Sequence, residues 1–279
     1  MAGRIITPQL RDISGVAAGQ TAVIKLPIGF TYHGVMIPFS GMTLAQMKEI
    51  RLVVNGDVLQ RWVGGARLDS VNQFDKQTAA GSILRLDFER RGLLTRQSIE
   101  HTVLGTGWNN TAAGKQQPDP RPVTSAQIEI DIDAAAAAPA ISYVIARRSA
   151  PQPSGDLLRV VRKPYSAGGA GDFIISDLPI YGGIINRIHF VNANISSVKL
   201  ELDNQTVFER SATENSRIQT DAGRRTPQAG VYTVDFSETG YGGDFLDVRA
   251  FQDVRWTINL SAGGTIYCEV ESLDVLRKF

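Results

Sequence analysis

The chain has 279 residues, of which 43% are hydrophobic, so it has enough apolar material for a packed core and wholesale disorder is excluded. Lys and Arg number 29 while Asp and Glu number 28, and this balance argues against a protein that coats nucleic acid. The single cysteine, Cys268, excludes an internal disulfide framework and a cysteine-rich metal site, and it favours folding in a reducing cytosol.

Short alternating or β-branched segments recur along the chain, and Gly, Pro, Asn or Asp residues bound them. This pattern is typical of antiparallel β-sandwiches. The predicted strands are Thr21–Lys25, Ile50–Val54, Val58–Trp62, Ser82–Phe88, Ala126–Ile132, Ile141–Ile145, Ile184–Phe190, Ser197–Leu202, Val231–Phe236, Val254–Leu260 and Thr265–Val270. Helices are predicted only over Thr43–Lys48 and Asp69–Lys76. Since long βαβ alternation is absent, a Rossmann or α/β-barrel enzyme scaffold is disfavoured.

An internal repeat is the most informative feature of the sequence. Two pairs of segments match at the same offset of 148 residues, and a third pair matches at an offset of 152. The matching pairs are Arg51–Leu59 with Lys199–Val207, Leu86–Gly92 with Val234–Gly240, and Leu26–Ile28 with Leu178–Ile180. Three matches in the same order predict a duplication, and therefore two similar sandwiches in tandem.

The connection between the two sandwiches is predicted within Ala146–Tyr165, which is charged, proline-rich and poor in apolar residues at its centre. A second flexible piece is predicted over Ser166–Gly171. We place the boundary at Ser154, which gives an N-terminal unit over residues 1–153 and a C-terminal unit over residues 154–279.

The two predicted units differ slightly in charge. Residues 1–150 carry 16 basic and 12 acidic groups, and residues 151–279 carry 13 and 16. A +4 half joined to a −3 half favours head-to-tail attraction between copies, but the asymmetry is too mild to decide a function.

Several motifs resemble those of corticovirus-type major coat proteins, from icosahedral bacteriophages with an internal membrane. In the first unit the resemblance is carried by Val16–Gly29, Ser40–Leu59 and Ile130–Pro139. In the second unit it is carried by Ile175–Pro179 and Tyr232–Phe236. The match is strongest between residues 16 and 62. It is patchy in two stretches that are predicted to be surface loops, residues 91–122 and 210–228.

The resemblance implies an all-β fold of two tandem eight-stranded jelly rolls with short helical insertions, and a structural protein without enzyme activity. It implies a homotrimer that forms a pseudo-hexagonal capsomer, synthesised in the bacterial cytoplasm and assembled into the virion capsid. The implied partners are neighbouring capsomers, vertex (penton) proteins, membrane-associated virion proteins and the internal lipid membrane. No specific nucleic-acid binding is expected. The arm Met1–Gly15 is predicted to tie a neighbouring subunit or to lie toward the membrane.

Few residues suggest catalysis. The histidines are His33 in a predicted loop, His101 in a predicted helix and His189 in a predicted strand, and no G-x-S-x-G elbow accompanies them. Cys268 lies in an apolar strand and is interpreted as a core residue. Two basic pairs, Arg90-Arg91 and Arg224-Arg225, are interpreted as solvated loops or intersubunit ion pairs.

Carboxylates are the candidate metal ligands. Asp131 and Asp133 alternate along a strand and so point to one face, where they could share a divalent cation or meet a basic partner. Glu238, Asp244 and Asp247 lie in a glycine-rich loop that could wrap a calcium ion. No EF-hand spacing is present, and solvated or ion-paired carboxylates are the favoured interpretation. No cofactor is expected to be required, and calcium is the one candidate ligand.

Aromatic residues leave a second function open, that of a tandem β-sandwich module that binds carbohydrate or a receptor. The rings concerned are Phe30, Tyr32, Phe39, Trp62 and Trp108, and exposed rings stack on sugars. Aromatic residues in a sandwich more often fill the core or a subunit interface, so the coat-protein interpretation is favoured. A β-sandwich hydrolase is disfavoured because no catalytic constellation is present.

Overall fold

A computed structural model describes residues 5–107, 109–110, 116–117 and 123–275, with side chains for 5–107 and 123–275. The N-terminal half contains short strands and two α-helices within these ranges. They are β1 (Gln9–Leu10), β2 (Ile13–Ser14), β3 (Thr21–Lys25), β4 (Thr31–Pro38), β5 (Met47–Val54), β6 (Asp57–Trp62), α1 (Gly65–Phe74), β7 (Ile83–Asp87), α2 (Arg96–Ile99), β8 (Leu104–Gly105), β9 (Asn109–Asn110), β10 (Gln116–Gln117), β11 (Ala126–Ile132) and β12 (Val144–Ser149). Single 3₁₀ turns occupy Leu44–Gln46 and Glu100–Thr102.

The C-terminal half repeats the main strands and one helix of the first half. They are β13 (Asp156–Ala167), β14 (Gly171–Ile175), β15 (Ile184–Val191), β16 (Ile195–Leu202), β17 (Gln205–Ser211), α3 (Ala212–Asp221), β18 (Val231–Asp235), β19 (Leu246–Asp247), β20 (Val254–Leu260) and β21 (Gly264–Val275). Among the residues that the structure describes, no helix has both the length and the apolar character needed to cross a membrane.

Two sandwiches are built from these strands, and one sheet runs through both. The first sandwich packs the sheet β1-β12-β4-β7, to which β8 adds, against β2-β3-β11-β5-β6. The second packs β18-β15-β21-β13, to which β19 adds, against β14-β20-β16-β17. The strands β6 and β13 run parallel and meet at Gln60 and Val160, so the inner sheets of the two sandwiches form one ten-stranded sheet. The double jelly-roll prediction is confirmed.

Each sandwich encloses its own hydrophobic core. Alternation explains the packing, because in β11 the buried Ile128, Ile130 and Ile132 face inward while the polar residues between them face outward. The second core is centred on the fully buried Trp256 and Phe190, whose rings are 5.7 Å apart. Leu157 at the start of β13 packs into the first core, so the chain crosses from one sandwich to the other before the two cores separate.

The predicted repeat is visible in the hairpins. Asn55 and Gly56 connect β5 to β6 with φ of 52° and 83°, and Asp203 and Asn204 connect β16 to β17 with φ of 46° and 66°. Both pairs therefore adopt the left-handed conformation that a two-residue hairpin turn requires. A ten-residue helix follows each hairpin, α1 in the first sandwich and α3 in the second.

Several predicted elements are wrong in their extent. Only Leu44–Gln46 forms a helical turn within Thr43–Lys48, because the buried Met47 already belongs to β5. The long predicted linker is reduced to residues 150–155, since β12 and β13 extend from either side. Pro164 is tolerated inside β13 because that strand pairs with β21 on one side and meets β6 only at Val160.

Two further elements differ from the prediction. His33 lies in the central strand β4 rather than in a loop, and Gly34 beside it is required because a Cβ there would lie 2.6 Å from Asp87. The stretch 210–228, predicted to be a loop, contains α3. The missed signal is a capping box, in which the Ser211 side chain accepts from the Glu214 backbone and Glu214 accepts from the Ser211 backbone.

Candidate functional site: the junction between the two sandwiches

Helix α1 belongs to the first sandwich but lies between both. Leu68 and Val71 pack into the first core, and Phe74 at the end of the helix faces the second sandwich. The backbone N–H of Thr226 donates to the carbonyl of Phe74 at 2.8 Å, which fixes the helix end on the C-terminal half. The helix therefore contacts both sandwiches and helps to hold them together.

Asp75 follows α1 and accepts hydrogen bonds from two buried arginines of the second sandwich. Arg187 donates from Nη1 at 2.6 Å and from Nη2 at 2.9 Å, and Arg225 donates from Nη1 at 3.0 Å. The Phe74 ring lies 5.7 Å and 5.6 Å from these two guanidinium groups, and it meets the edge of His189 at 5.6 Å. The Asp75 carboxylate and the Phe74 ring of the first sandwich thus contact both guanidinium groups of the second.

The second sandwich supplies its own counter-charges on the same face. Glu271 accepts from Arg187 Nε at 2.6 Å and lies 3.3 Å from His189 Nε2, while Asp235 pairs with Arg225. Burial raises the pKa of Glu271, but the charge of Arg187 outweighs burial and lowers it to about 2. Burial lowers the pKa of His189, so the imidazole is neutral near pH 7, donating to Glu271 and accepting from the Thr233 hydroxyl.

Burial also lowers the pKa of Arg187, but the neighbouring Asp75 and Glu271 outweigh this and hold it above its usual range. The pKa of Asp235 is raised by burial and lowered more strongly by Arg225 and Arg187, so it lies below its usual range. The network is therefore a lattice of ionised groups, in which buried guanidinium and carboxylate side chains alternate. Each buried charge depends on an oppositely charged neighbour for its stabilisation.

A second set of contacts lies on either side of this lattice. Arg67 on α1 donates to Glu269 at 2.7 Å. Arg90 donates from Nε to Asn186 at 2.9 Å and from Nη1 to the carbonyl of Gly242 at 2.6 Å. The interpretation of Arg90 and Arg225 as solvated residues is wrong, because both are buried in the junction. Sequence reasoning missed them because long-range pairing is not visible in a two-residue basic motif.

A third contact lies where β6 of the first sandwich runs beside β13 of the second. Arg159 on β13 donates to Asp57 on β6 at 2.5 Å and to Asp274 on β21 at 2.7 Å. Breaking a buried pair by removing one partner costs on the order of 3–5 kcal/mol, so the three groups of contacts hold the sandwiches in one relative orientation. The junction thus joins the two sandwiches through contacts at several places.

The predicted metal ligands on β11 are paired with cations of the chain. Arg51 donates to Asp131 at 2.8 Å and 3.0 Å, and the Thr21 hydroxyl donates to the same carboxylate at 2.7 Å. Lys48 lies 2.5 Å from Asp133, which also accepts from the Ala135 backbone. Arg51 and Lys48 thus engage the oxygens that a calcium ion would need.

The three carboxylates of the glycine-rich loop are also engaged. Glu238 accepts two hydrogen bonds from Arg210 at 2.8 Å and 3.0 Å, and Asp247 pairs with Arg249. Asp244 accepts from the Thr239 hydroxyl at 2.5 Å. Within the described ranges these five predicted ligands do not come together as a group of three, and calcium binding stays a prediction.

One group of three residues with metal-ligating side chains does occur in the described part of the chain, formed by His33, Glu89 and Glu100. His33 Nδ1 lies 2.7 Å from Glu89 Oε1, and Nε2 lies 2.9 Å from the Ser149 hydroxyl. Arg147 donates to the other Glu89 oxygen at 3.1 Å. Burial raises the pKa of Glu89, but the His33 hydrogen bond and the charges of Arg91 and Arg147 outweigh burial and hold it below its usual range. Glu89 is therefore already paired within the chain.

The residues that suggested other functions occupy structural positions. Cys268 is fully buried, and burial raises the pKa of its thiol far above the usual range. Tyr32, Phe39 and Trp62 are buried in the first core, and Arg148 stacks 3.8 Å from the Phe30 ring. Trp108 lies outside the described residues. These placements leave no cluster of exposed rings among the four described aromatics.

Comparison with known proteins identifies the family. Residues 7–147 match the Viral coat protein P2 N-terminal domain and residues 157–276 match the Viral coat protein P2 C-terminal domain. The chain is 28% identical over 259 residues to "Major capsid protein P2" of Pseudoalteromonas phage PM2, covering 90% of each protein. It superposes on the crystal structure of the major capsid protein P2 from bacteriophage PM2 with a TM-score of 0.87 and 25% identity, covering 99% of each chain.

More distant structures share the fold alone. The STIV MCP gives a TM-score of 0.67 at 14% identity and covers 98% of this chain and 97% of its own. The PBCV-1 virus capsid gives 0.65 at 9% identity and covers 97% and 94%. The resemblance to corticovirus-type coat proteins is thus confirmed in both halves, and the chain belongs to the viral coat protein P2 family.

Proposed function

We propose that the chain is the major capsid protein of an icosahedral bacteriophage and that self-assembly is its activity. The observation that carries this proposal is the agreement with the PM2 major capsid protein P2 over 99% of both chains, which includes the junction as well as each sandwich. No enzymatic step is assigned, because the buried charged groups of the junction pair with one another.

The junction gives this proposal a physical basis. Two similar sandwiches held in one orientation supply two neighbouring corners of a hexagon, so three copies supply six. The joined pair would let a homotrimer present a pseudo-hexagonal outline to its neighbours, which would be further capsomers and vertex proteins of the virion. Contact with membrane-associated proteins or the internal lipid layer would occur on the inner side of the shell.

Light scattering on the purified chain, with electron microscopy of the same fraction, tests the proposal. Since one chain has a mass of 30.3 kDa, a trimer should have a mass of about 91 kDa and a six-lobed outline. A monomer that persists at high concentration, with or without calcium, would contradict the trimer.

A further inference from the structure

A cavity of about 300 Å³ lies in the second sandwich, between helix α3 and the strands beside it. Its walls are α3, the turn between β15 and β16, and the segment from Pro227 to Thr233. We call it the α3 cavity. Its volume is at the lower end of the range for small-molecule sites in proteins, so it suits a small ligand or one residue of a longer one.

The duplicated fold allows the α3 cavity to be compared with the same place in the first sandwich. Gln219 of α3 donates from Nε2 to the carbonyl of Thr233 at 2.8 Å, and Asn72 of α1 donates from Nδ2 to the carbonyl of Arg85 at 2.9 Å. Thr233 and Arg85 are 148 residues apart, which is the offset of the sequence repeat. The two helices therefore meet corresponding strands in the same register.

In the first sandwich, side chains of the core fill this place. Leu68 of α1 is buried in the first core, and its counterpart in α3 is Asn215, since each lies four residues before the amide just described. Phe39, the first residue after β4, is also part of the first core, whereas the first residue after β15 is Asn192. Two apolar core residues thus correspond to two amides, and both amides line the cavity.

The lengths of the strand connections explain why the second sandwich has space here. Residues 39–46 join β4 to β5 and include the 3₁₀ turn Leu44–Gln46. That turn packs on the start of α1, because a Cβ at Gly65 would lie 2.9 Å from the carbonyl oxygen of its first residue. Residues 192–194 alone join β15 to β16, so Ala212 at the start of α3 has no such turn to pack against and lines the cavity.

The lining of the α3 cavity is polar but uncharged. Its polar side chains are amides and hydroxyls, which belong to Asn192, Asn215, Ser216, Gln219, Gln228 and Thr233. Aliphatic groups of Ile195, Pro227 and Val231 form other parts of the walls, and none of the lining residues carries a charge. A charged ligand would lose hydration in this cavity without gaining a counter-charge, so the lining favours a neutral ligand.

Gln219 is the polar residue that points most clearly to a ligand. It is only 1% exposed, and its Nε2 donates to Thr233, but its Oε1 has no hydrogen-bond partner among the described residues. The Ser216 hydroxyl and Gln228 Oε1 likewise have no partner within the described part of the chain. Buried polar groups in proteins are nearly always paired, so an unpaired acceptor in a cavity indicates a donor that comes from outside the chain.

We propose that the α3 cavity binds a neutral saccharide residue. Each hydroxyl of a sugar donates and accepts, and the amide and hydroxyl side chains of the lining offer both functions. Ser216 and Gln219 are three residues apart and so lie side by side on α3, where adjacent hydroxyls of one ring would reach both. The aliphatic walls would contact the C–H groups of the ring. This inference goes beyond the proposed capsid function and does not depend on the trimer.

Saturation-transfer NMR titrations on the full chain test the proposal. The probes are the methyl glycosides of glucose, galactose, mannose and N-acetylglucosamine, and the charged comparators of similar shape are glucuronate and glucosamine. We expect at least one neutral glycoside to bind saturably and both comparators to bind at least about tenfold more weakly. Absence of saturable binding by all four glycosides, or equal binding by the comparators, would overturn the proposal.

Two variants locate the binding in the α3 cavity. Gln219→Met removes the unpaired acceptor, while the Thr233 carbonyl still accepts from Asn215 at 2.7 Å, and binding should weaken about tenfold. Ser216→Phe fills the cavity and should abolish binding. The matched control is Thr213→Phe, an exposed position of α3 outside the lining, which should keep the affinity of the parent chain. Equal affinities in Ser216→Phe and Thr213→Phe, or full affinity in Gln219→Met, would overturn the site.

Competition experiments distinguish two sources of the sugar. An oligosaccharide that ends in the bound sugar should displace the methyl glycoside if the site takes the end of a surface glycan, whereas only the monosaccharide should displace it if the site takes a free sugar. Displacement by N-acetylglycine methylamide but by no sugar would assign the cavity to a peptide and overturn the proposal. Light scattering separates this inference from the proposed function, because a trimer that binds no sugar would refute the saccharide site alone.

Discussion

The two sandwiches of this chain share one strand plan but differ in which outer face is covered. The face of β15, β18 and β21 is buried under α1, and it carries a lattice of ionised groups centred on Arg187 and Glu271. The corresponding face of β4, β7 and β12, the open face, is only partly exposed: Ile83 is exposed and Met36 is half-buried, while His33 and Glu89 are buried. Gly34, which pairs with Asp87, occupies the position that Arg187, which pairs with Asp235, has in the second sandwich. Two repeats with the same fold thus differ in how this face is covered and in which charges it carries.

The charged side chains on the two faces have different partners. On the covered face, Arg187 and Arg225 reach Asp75 of the other sandwich, so the pairing crosses the junction. On the open face, Arg85 and Arg147 lie close to Asp87 of their own sandwich. A face that forms pairs with itself can remain in contact with solvent, whereas the lattice on the covered face is complete only when the two sandwiches are joined.

Removing Asp75 should break this comparison most strongly. Asp75→Asn leaves Arg187 and Arg225 buried without their shared carboxylate, and we expect it to lower the free energy of unfolding by about 3–5 kcal/mol. Denaturant titration followed by tryptophan fluorescence measures this change. The matched control is Asp221→Asn at the end of α3, where the exposed pair with Arg217 should contribute less than about 1 kcal/mol. Equal losses in the two variants would contradict the covered and open assignment.

A charge on the exposed side of α3 should affect assembly but not folding. In the proposed trimer α3 would lie near a neighbouring copy, so we expect Ile218→Lys to shift the chain from trimer toward monomer, with a cost on the order of 2 kcal/mol per contact. The unfolding midpoint of the monomer should stay close to that of the parent chain, since the side chain is exposed there. Sedimentation velocity and thermal unfolding measure the two effects. Ile174→Lys serves as the control, and the same loss of trimer in that variant would refute the assignment of α3.

Lowering the pH should reduce the free energy of unfolding in two stages, through two buried groups of the covered face. The lowered pKa of His189 means that the folded chain resists protonation while the unfolded chain accepts a proton, so stability is lost as the pH falls below about 6.5. The slope is at most about 1.4 kcal/mol per pH unit from this group. Glu271, with its pKa lowered to about 2, contributes stability above about pH 4.5 that is lost as the pH falls toward 2.

Denaturant titrations at pH 7 and pH 5 measure the first stage. We expect His189→Asn to be less stable than the parent at pH 7 but to change less between the two pH values. His101→Gln, which replaces an exposed histidine outside the junction, is the control for the substitution itself. A parent chain that gains stability on acidification to pH 5 would contradict a neutral, buried His189.

Calcium removal should have the smallest effect. The predicted ligands Asp131, Asp133, Glu238 and Asp247 are already paired with cationic side chains, so we expect the chain to bind calcium weakly. Isothermal titration calorimetry with calcium chloride should show no saturable heat below millimolar concentrations. A saturable signal that disappears in Asp131→Asn or Asp244→Asn would instead establish the predicted sites.

The fold was largely predictable from the sequence, and the junction was not. The alternation in β11 is a local signal, so it predicted that strand correctly, and Asn55-Gly56 between β5 and β6 is a local turn signal of the same kind. The offset of 148 residues predicted the duplication. In contrast, Arg90 and Arg225 make contacts with residues that lie far away in the sequence, such as Gly242 and Asp75, and no local pattern distinguishes them from solvated basic pairs. Helix α3 is an intermediate case, because the sequence contains a local signal for it, the capping box, that the prediction did not use.

A cryo-EM reconstruction of the assembled oligomer tests the central claim most directly, because it shows the number of copies and how the two sandwiches of each copy are joined. The account predicts a ring of six sandwiches made by three copies, with Asp75, Arg187 and Arg225 paired at the junction inside each copy. An assembly that is not built from three copies, or one in which the two sandwiches of a copy separate at that junction, would contradict it.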